Sequence, residues 1–298
     1  MEAKTLIDVT ELSEIMKGGE PVVIIDTRDP EEYTVSHIPG AVNIREIFSY
    51  LSTSTPEGLA AMQNMFADLL GKSGLSGKEL AVIYESAMNN GYGQSCRGYF
   101  LLKFLGYPSV SILHGGYDAW QQAGLPTSTE VPEPEAKVFP VHVNPSLLID
   151  KDEMLKSLDD PSIIKLDVRD FDEWTGESSS PYGVDFCPRK GRIPGAVLIE
   201  WYTMMKEVDG IPVFRSKEEI LATAKKVGIT PESTVNVYCF KGARASNTLV
   251  ALNEAGIKDV RIYFASWDEW SRDPSLPIEE GPPDPERPTV RVTTQVTS

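Results

Sequence analysis

The chain carries the same succession of motifs twice, and this constrains its fold more than any other feature of the sequence. A strand-like run, an Asp-x-Arg-Asp motif, an Ile-Pro-Gly-Ala motif and a second strand-like run occupy 22–44 and recur within 163–199. Two later landmarks recur in the same order: "ELAVIYES" (79–86) as "STVNVYCF" (233–240), and "VSILHGGYDAW" (110–120) as "VRIYFASWDEW" (260–270). These ordered matches indicate a duplicated domain of about 125 to 135 residues, which is an ordinary domain size.

The boundaries of the two copies follow from composition. Residues 126–145 are rich in proline and acidic side chains and lack apolar periodicity, which is typical of a linker. The sequence therefore predicts a first domain at 1–125, the linker at 126–145 and a second domain at 146–278. The remaining proline-rich segment, 279–298, is expected to be a loosely packed C-terminal tail.

Each copy alternates short β-branched runs with helix-like stretches. In the second copy, "SIIKLD", "TVNVY" and "VRIYF" are the strand-like runs, and the helix-like stretches between them end at glycines. Alternation of this kind predicts an α/β fold in which each domain is a mainly parallel sheet with helices on both faces. Ligands of such folds bind at the carboxyl ends of the strands.

Charge narrows the set of partners. The formal net charge of −16 predicts that the chain binds neither nucleic acid nor an anionic membrane surface, so an anionic ligand needs a local cationic pocket. The acidic N-terminal segment does not resemble a signal peptide, and we expect a cytoplasmic protein. The chain has three cysteines, Cys96, Cys187 and Cys239, without the spacing of a disulfide framework or a zinc site.

Cys239 is the candidate nucleophile. It follows the apolar run "TVNVY" and precedes a helix-like stretch, so it is predicted to lie on a strand-to-helix turn at the carboxyl edge of the sheet. Backbone N–H groups and the positive end of the helix favour an anion there. Gly242 provides the backbone freedom that a cradle needs, and Lys241 and Arg244 add positive charge. The pattern predicts a reactive thiolate.

The loop "CFKGAR", the "DVRD…EW…GRIPGA" block and the closing "FASWDEW" resemble the tandem-domain rhodaneses, the thiosulfate and 3-mercaptopyruvate sulfurtransferases. The resemblance covers about residues 5–280. It maps the family's six-residue active loop onto Cys239, Phe240, Lys241, Gly242, Ala243 and Arg244. The matching position in the first copy is Glu85, which implies that this copy is catalytically silent.

The resemblance implies a reaction without a cofactor or metal. The Cys239 thiolate takes the outer sulfur of thiosulfate as a persulfide, and cyanide or a thiol then accepts that sulfur. Rhodanese-like folds also include dual-specificity phosphatases, but those need Cys-x5-Arg. The Cys-x4-Arg spacing of Cys239 and Arg244 gives a smaller loop, which suits a sulfane sulfur rather than a phosphate.

Loop charge guides the choice of donor. Lys241 and Arg244 are expected to bind the oxygens of thiosulfate, and the "CxxGxR" form is similar to bacterial thiosulfate sulfurtransferases. Phe240 stands where the vertebrate type has a cation, so it is expected to line a pocket for a bulkier or less charged donor. Arg192, in "RKGRIPGA", is expected to contact the donor anion, as a basic residue does in relatives. A 3-mercaptopyruvate sulfurtransferase and a non-catalytic persulfide carrier or partner-binding module remain alternatives.

Other residues of the second copy are expected to support the loop. Asp167 and Arg169 repeat as Asp26 and Arg28 in the first copy, which favours a structural ion pair. Trp267 is expected to cover the pocket or to lie in the core. The insertion at 175–190 exists only in the second copy and is expected to fold over the active face or the domain interface.

Overall fold

The computed structural model describes residues 3–284 and 289–291. The chain divides into two compact units. The first comprises Met1–Leu51, Pro56–Pro145 and Glu207–Phe214, and the second comprises Ser52–Thr55, Ser146–Lys206 and Arg215–Ser298. The predicted linker at 126–145 therefore belongs to the first unit, and each unit includes a short segment from the other copy.

The first unit is built on a five-stranded sheet with the strand order β1-β5-β4-β2-β3, and every pair in it is parallel. Its strands are β1 (Leu6–Ile7), β2 (Val22–Asp26), β3 (Val42–Asn43), β4 (Leu80–Tyr84) and β5 (Val110–Leu113). Its helices are α1 (Val9–Gly18), α2 (Pro30–Val35), α3 (Glu46–Ser49), α4 (Pro56–Lys72), α5 (Gln94–Phe104) and α6 (Gly116–Gln122).

The strand order explains why helices cover both faces of this sheet. The connections through α1 and α2 move toward β3, whereas those through α4 and α5 move back toward β1. Because crossovers between parallel strands are right-handed, connections that run in opposite directions lie on opposite faces. One core cluster accordingly joins Leu12 of α1 and Trp120 of α6 to Val82 of β4.

The second unit repeats this plan with a six-stranded sheet in the order β13-β8-β7-β11-β12-β6. A separate two-stranded sheet consists of β9 (Met205–Val208) and β10 (Ile211–Phe214), whose residues from Glu207 onward belong to the first unit. The second unit has the strands β6 (Leu148–Ile149), β7 (Ile163–Asp167), β8 (Val197–Ile199), β11 (Thr234–Tyr238), β12 (Val260–Tyr263) and β13 (Thr289–Val290). Its helices are α7 (Lys151–Lys156), α8 (Phe171–Thr175), α9 (Lys217–Lys225), α10 (Ala243–Glu254) and α11 (Ser266–Arg272).

The first helix of each unit begins with the same N-terminal capping interaction. Asp8 accepts the backbone N–H of Glu11 at 2.8 Å, and Asp150 accepts that of Glu153 at 2.7 Å. Each glutamate in turn accepts the backbone N–H of its aspartate, which completes a capping box. The duplication therefore extends to the ends of the helices, and the predicted α/β fold class is confirmed.

The C-terminal segment differs from the loose tail that its proline content predicts. Thr289 and Val290 form β13, which pairs parallel with β8. The backbone N–H of Gly281 donates to the carbonyl of Thr175 at 2.8 Å. The physical reason is that β8 would otherwise be an edge strand with unpaired N–H and C=O groups. Residues 285–288 and 292–298 of the predicted tail lie outside the described residues.

Across residues 3–284 and 289–291, no helix combines the length and the apolar character that a membrane span needs.

Candidate active site

The candidate active loop lies at the carboxyl edge of a central strand of the second sheet. Strand β11 ends at Tyr238, and its register places Tyr238 beside Asp167, the last residue of β7. The loop 239–242 then leads directly into α10. This confirms the placement of Cys239 on a strand-to-helix turn, where the sequence predicts it.

The sulfur of Cys239 already has a backbone donor. The N–H of Gly242 donates to Cys239 Sγ, with 3.1 Å between nitrogen and sulfur. Three further N–H groups, in the first turn of α10, have no acceptor within the helix, and the helix dipole places partial positive charge there. Cys239 is 1% exposed, so little solvent screens these interactions. The loop therefore stabilises negative charge on sulfur.

Gly242 is required by the geometry of this turn. Its φ of +88° lies in the left-handed region, which side chains other than glycine rarely adopt. A Cβ at this position would lie 2.7 Å from Cδ2 of Phe264 and 3.0 Å from its carbonyl oxygen. Only glycine allows the loop to pass this close to the residue that follows β12.

Arg244 does not present a free guanidinium to a donor. It binds the carboxylate of Glu173 through two hydrogen bonds of 2.6 and 3.1 Å, and both side chains are almost fully buried. Burial alone lowers the pKa of Arg244, but the charge and hydrogen bonds of Glu173, with a smaller contribution from Cys239, raise it well above its usual value. The predicted role in donor binding is therefore replaced by a buried ion pair within electrostatic range of the thiol.

Phe240 and Lys241 are both covered by the insertion. Phe240 is 3% exposed, and its ring centroid lies 4.9 Å from that of Tyr182. The ammonium of Lys241 lies 5.4 Å from the centroid of the same ring. Phe240 thus packs beneath Tyr182 rather than lining an open donor pocket, because the insertion supplies an aromatic partner that the sequence alone did not identify.

Arg192 makes its hydrogen bonds with residues outside the active loop. Its guanidinium donates to the carbonyls of Trp174 and Gly281, each at 3.0 Å, and to the carboxylate of Glu279 at 2.6 Å. It also stacks on the indole of Trp174 at 3.8 Å. These contacts differ from the predicted contact with a donor anion. The physical reason is that the buried guanidinium needs acceptors, and Glu279 and Gly281 of the C-terminal segment supply them.

Asp167 and Arg169 form a buried, bidentate pair below the loop, with hydrogen bonds of 2.6 to 3.1 Å. The guanidinium of Arg169 lies 4.5 Å from the ring centroid of Trp267. Asp26 and Arg28 repeat the pair in the first unit, with the corresponding 2.6 Å contact. Trp267 is fully buried, and its backbone N–H donates to the carbonyl of Cys239 at 3.1 Å. These contacts fit the predicted supporting role.

Ser266 contacts the candidate active loop from the neighbouring strand-to-helix turn. Its Oγ accepts the backbone N–H of Cys239 at 3.1 Å and donates to the carbonyl of Tyr263 at 2.8 Å. Its φ is +58°, a conformation uncommon for serine. Gly116 occupies the equivalent position of the first unit with a φ of +66°. The hydroxyl is therefore particular to the second copy.

Glu85 fills the equivalent cradle of the first unit. Its carboxylate accepts the backbone N–H groups of Gln94 and Ser95, at 3.1 and 3.4 Å, and the hydroxyl of Ser95 at 2.6 Å. Burial raises the pKa of Glu85 to about 7, although these hydrogen bonds oppose the shift. A carboxylate thus lies at the start of α5, where the second unit has the thiol at the start of α10.

The other two cysteines are buried. Cys96 lies within α5. Cys187 lies in the insertion and is fully buried, and burial raises its pKa to about 11. Among the described residues, no three His, Cys, Asp or Glu side chains cluster closely enough to hold a metal ion.

The family is shown by comparison with known proteins. A model of the rhodanese-like domain matches residues 8–123 and, a second time, residues 150–273. The chain belongs to the rhodanese family. Its two rhodanese domains are the two copies that the repeated motifs predict.

Named relatives of this tandem rhodanese extend over most of the chain. It is 31% identical to a putative thiosulfate sulfurtransferase of Haloferax volcanii, across 85% of this chain and 86% of that protein. It is 26% identical to a thiosulfate sulfurtransferase of Azotobacter vinelandii, across 87% and 91%. A solved structure, an anaerobic ergothioneine biosynthesis enzyme from Chlorobium limicola in complex with trimethyl histidine, is similar with a TM-score of 0.80, 25% identity, and coverage of 94% and 71%. These similarities support a sulfurtransferase role.

Three contributors to the rhodanese site were missed by sequence reasoning. Glu173 has an acidic counterpart in the first copy, Glu32, which is exposed, so the repeat gave no sign that Glu173 is buried beside Arg244. Ser266 could have been found, because it replaces a glycine of the first copy. Tyr182 lies in the insertion, where no repeat partner exists for comparison.

Proposed function

We propose that the chain is a thiosulfate sulfurtransferase that carries the transferred sulfur as a persulfide on Cys239. The observation that supports this most directly is the N–H of Gly242 donating to Cys239 Sγ at the start of α10. That geometry favours a sulfur anion, and the named relatives are thiosulfate sulfurtransferases. The first domain, with Glu85 at the matching position, is proposed to be catalytically silent.

In the first half-reaction, the Cys239 thiolate attacks the outer sulfur of thiosulfate. A bond forms between Sγ and this sulfur, and the bond between the two sulfurs of thiosulfate breaks. The electron pair of that bond leaves with sulfite. The product is the persulfide Cys239-S-S⁻, whose terminal negative charge is stabilised by backbone N–H groups at the start of α10.

In the second half-reaction, an acceptor nucleophile attacks the terminal sulfur of the persulfide. The S–S bond breaks, and its electron pair returns to Cys239 as the thiolate. With cyanide as the acceptor the product is thiocyanate, and with a thiolate RS⁻ it is the persulfide RSS⁻. Charge and electrons balance in both steps without an oxidant, so the loop needs only to hold a sulfur anion throughout.

Loop charge supports thiosulfate as the donor. The Lys241 ammonium lies in the active loop, and the charge of Arg244 reaches the thiol even though Glu173 partly neutralises it. A dianion gains more from this positive potential than the single carboxylate of 3-mercaptopyruvate does. The latter donor is therefore the comparison in the assay.

The experiment measures thiocyanate from cyanide with either thiosulfate or 3-mercaptopyruvate as the donor. Wild type is expected to turn over thiosulfate faster, and Cys239→Ser to be inactive with both. Mass spectrometry after thiosulfate alone is expected to find one additional sulfur on Cys239. Cys187→Ala is the matched control, because it removes a buried thiol that the mechanism does not use.

Each alternative has its own outcome. Faster turnover of 3-mercaptopyruvate would replace the donor. A persulfide on Cys239 without formation of thiocyanate from either donor would indicate a carrier. Full activity in Cys239→Ser would refute the site, and absence of both persulfide and turnover in wild type would refute the function.

A further inference from the structure

The insertion of the second copy forms a closed loop whose two ends meet. A Cβ built on Gly176 would lie 3.3 Å from the backbone nitrogen of Gly191, and both glycines have positive φ. The ammonium of Lys190 donates to the carbonyl of Glu177 at 2.9 Å. Segment 177–190 is therefore an Ω-loop, a compact surface loop with adjacent ends.

The base of the Ω-loop is fixed to the second unit. The guanidinium of Arg189 donates to four backbone carbonyls at and after the end of α11: those of Trp270, Ser271, Asp273 and Leu276. Cys187 is fully buried in the same core cluster as Phe240 and Trp267. The tip of the loop is consequently held in a defined position relative to the active loop.

The tip of the Ω-loop is apolar and exposed. Tyr182, Val184 and Phe186 are 43%, 55% and 44% exposed, respectively. The ring of Tyr182 lies 4.9 Å from that of Phe240, 5.4 Å from the ammonium of Lys241 and 5.5 Å from the ring of Phe186. An aromatic surface thus borders two of the six residues of the active loop.

Thiosulfate and cyanide gain little from contact with this surface. Thiosulfate is a small dianion without apolar area, and cyanide has almost none, so burial against aromatic rings gives neither of them binding energy. A tip of three side chains is also far smaller than the roughly 800 Å² that each partner of a stable protein complex buries. The remaining ligand is a thiol acceptor of the second half-reaction, and the size of the surface suits a small molecule.

We propose that Tyr182 is a specificity-determining residue for the sulfur acceptor, and that this acceptor is a small thiol with an aromatic or apolar body. The inference rests on the proposed function, because it concerns the second half-reaction of the same site. In that step the acceptor thiolate RS⁻ takes the terminal sulfur and leaves as RSS⁻, while its apolar body packs against Tyr182 and Phe186. Lys241 offers positive charge beside the ring.

The test separates the two half-reactions. The enzyme is first converted to the Cys239 persulfide with thiosulfate and freed of donor, and the loss of persulfide is then followed with benzyl mercaptan, 2-mercaptoethanol or cyanide. Wild type is expected to prefer benzyl mercaptan over 2-mercaptoethanol in kcat/KM. In Tyr182→Ala, the ratio of kcat/KM for benzyl mercaptan to that for cyanide is expected to fall about two- to twelvefold, which is the range of one aromatic contact.

Two control variants define the contact. Tyr182→Phe retains the ring and is expected to keep the wild-type ratio. Val184→Ala removes an exposed side chain of the same loop tip that has no ring, and it is also expected to keep that ratio. An equal loss with every acceptor in Tyr182→Ala, or an unchanged ratio, would overturn the inference. Failure of thiosulfate to load Cys239 would instead refute the proposed donor, and the acceptor ratio would then be measured on enzyme loaded with inorganic polysulfide.

Discussion

Replacing Arg244 by methionine leaves the carboxylate of Glu173 buried without its positive partner. The two side chains are 3% and 2% exposed and share hydrogen bonds of 2.6 and 3.1 Å. Removing one member of a buried ion pair costs about 3 to 5 kcal/mol, because the remaining charge keeps its desolvation penalty. For a unit of this size we expect the melting temperature to fall by about 10 to 20 °C.

The double variant Glu173→Leu/Arg244→Met distinguishes stability from donor binding. It removes both charges and fills the site with apolar groups of similar volume, so it is expected to regain most of the lost stability. Thermal unfolding by circular dichroism measures the three proteins alongside Arg261→Met. Arg261 is 42% exposed, and its 3.6 Å pair with Asp259 is expected to contribute less than about 1 kcal/mol.

The outcome that contradicts this reasoning is a kinetic one. In this outcome, Arg244→Met does not lower the unfolding temperature but raises the KM for thiosulfate about tenfold or more. In that case Arg244 binds the donor, as the sequence predicts, and its pair with Glu173 does not contribute to the free energy of unfolding.

Three further results are expected. Gly242→Ala should abolish activity, because its Cβ would lie 2.7 Å from Cδ2 of Phe264. Gly228→Ala has a φ of +83° and nothing within 4 Å of its Cβ, so it should cost only about 1 to 2 kcal/mol of unfolding free energy. Equal effects of the two variants in urea unfolding would contradict the steric argument. Glu85 has a pKa of about 7 in the folded chain against an ordinary value of 4.5, so the folded state holds the extra proton between these values and stability falls as pH rises through that window. The loss is at most about 3 kcal/mol, and Glu85→Gln should lack it; parallel pH profiles of unfolding would refute this. Arg192→Met should lower the melting temperature and leave the KM for thiosulfate within about twofold, whereas a selective rise in KM would return Arg192 to the donor site.

The fold could be predicted because its signals are local and repeated. Strands β7, β11 and β12 coincide with the β-branched runs to within one residue, and α10 follows Cys239, where the sequence predicts a helix-like stretch. The position of Cys239 follows from this pattern alone, since a residue after a parallel strand must lie at the carboxyl edge of the sheet.

The partners of the charged residues could not be predicted in the same way. Arg244 and Glu173 are 71 positions apart, and Arg192 and Glu279 are 87 apart. Spacing identifies a cation near the thiol but does not say which carboxylate reaches it, because that depends on how separate loops pack. The sequence therefore located the loop correctly and assigned to donor binding two arginines that the structure pairs with glutamates.

The backbone conformation at Ser266 sets the stability of the second unit against the hydrogen bond between Ser266 and the backbone of Cys239. A left-handed conformation disfavours a side chain by about 1 to 2 kcal/mol, and the first copy avoids this strain by having Gly116 at the same place. The second copy accepts the strain, and its serine hydroxyl orients the backbone of Cys239. Selection for thermostability alone would therefore favour glycine at position 266 and remove the acceptor of the Cys239 backbone N–H.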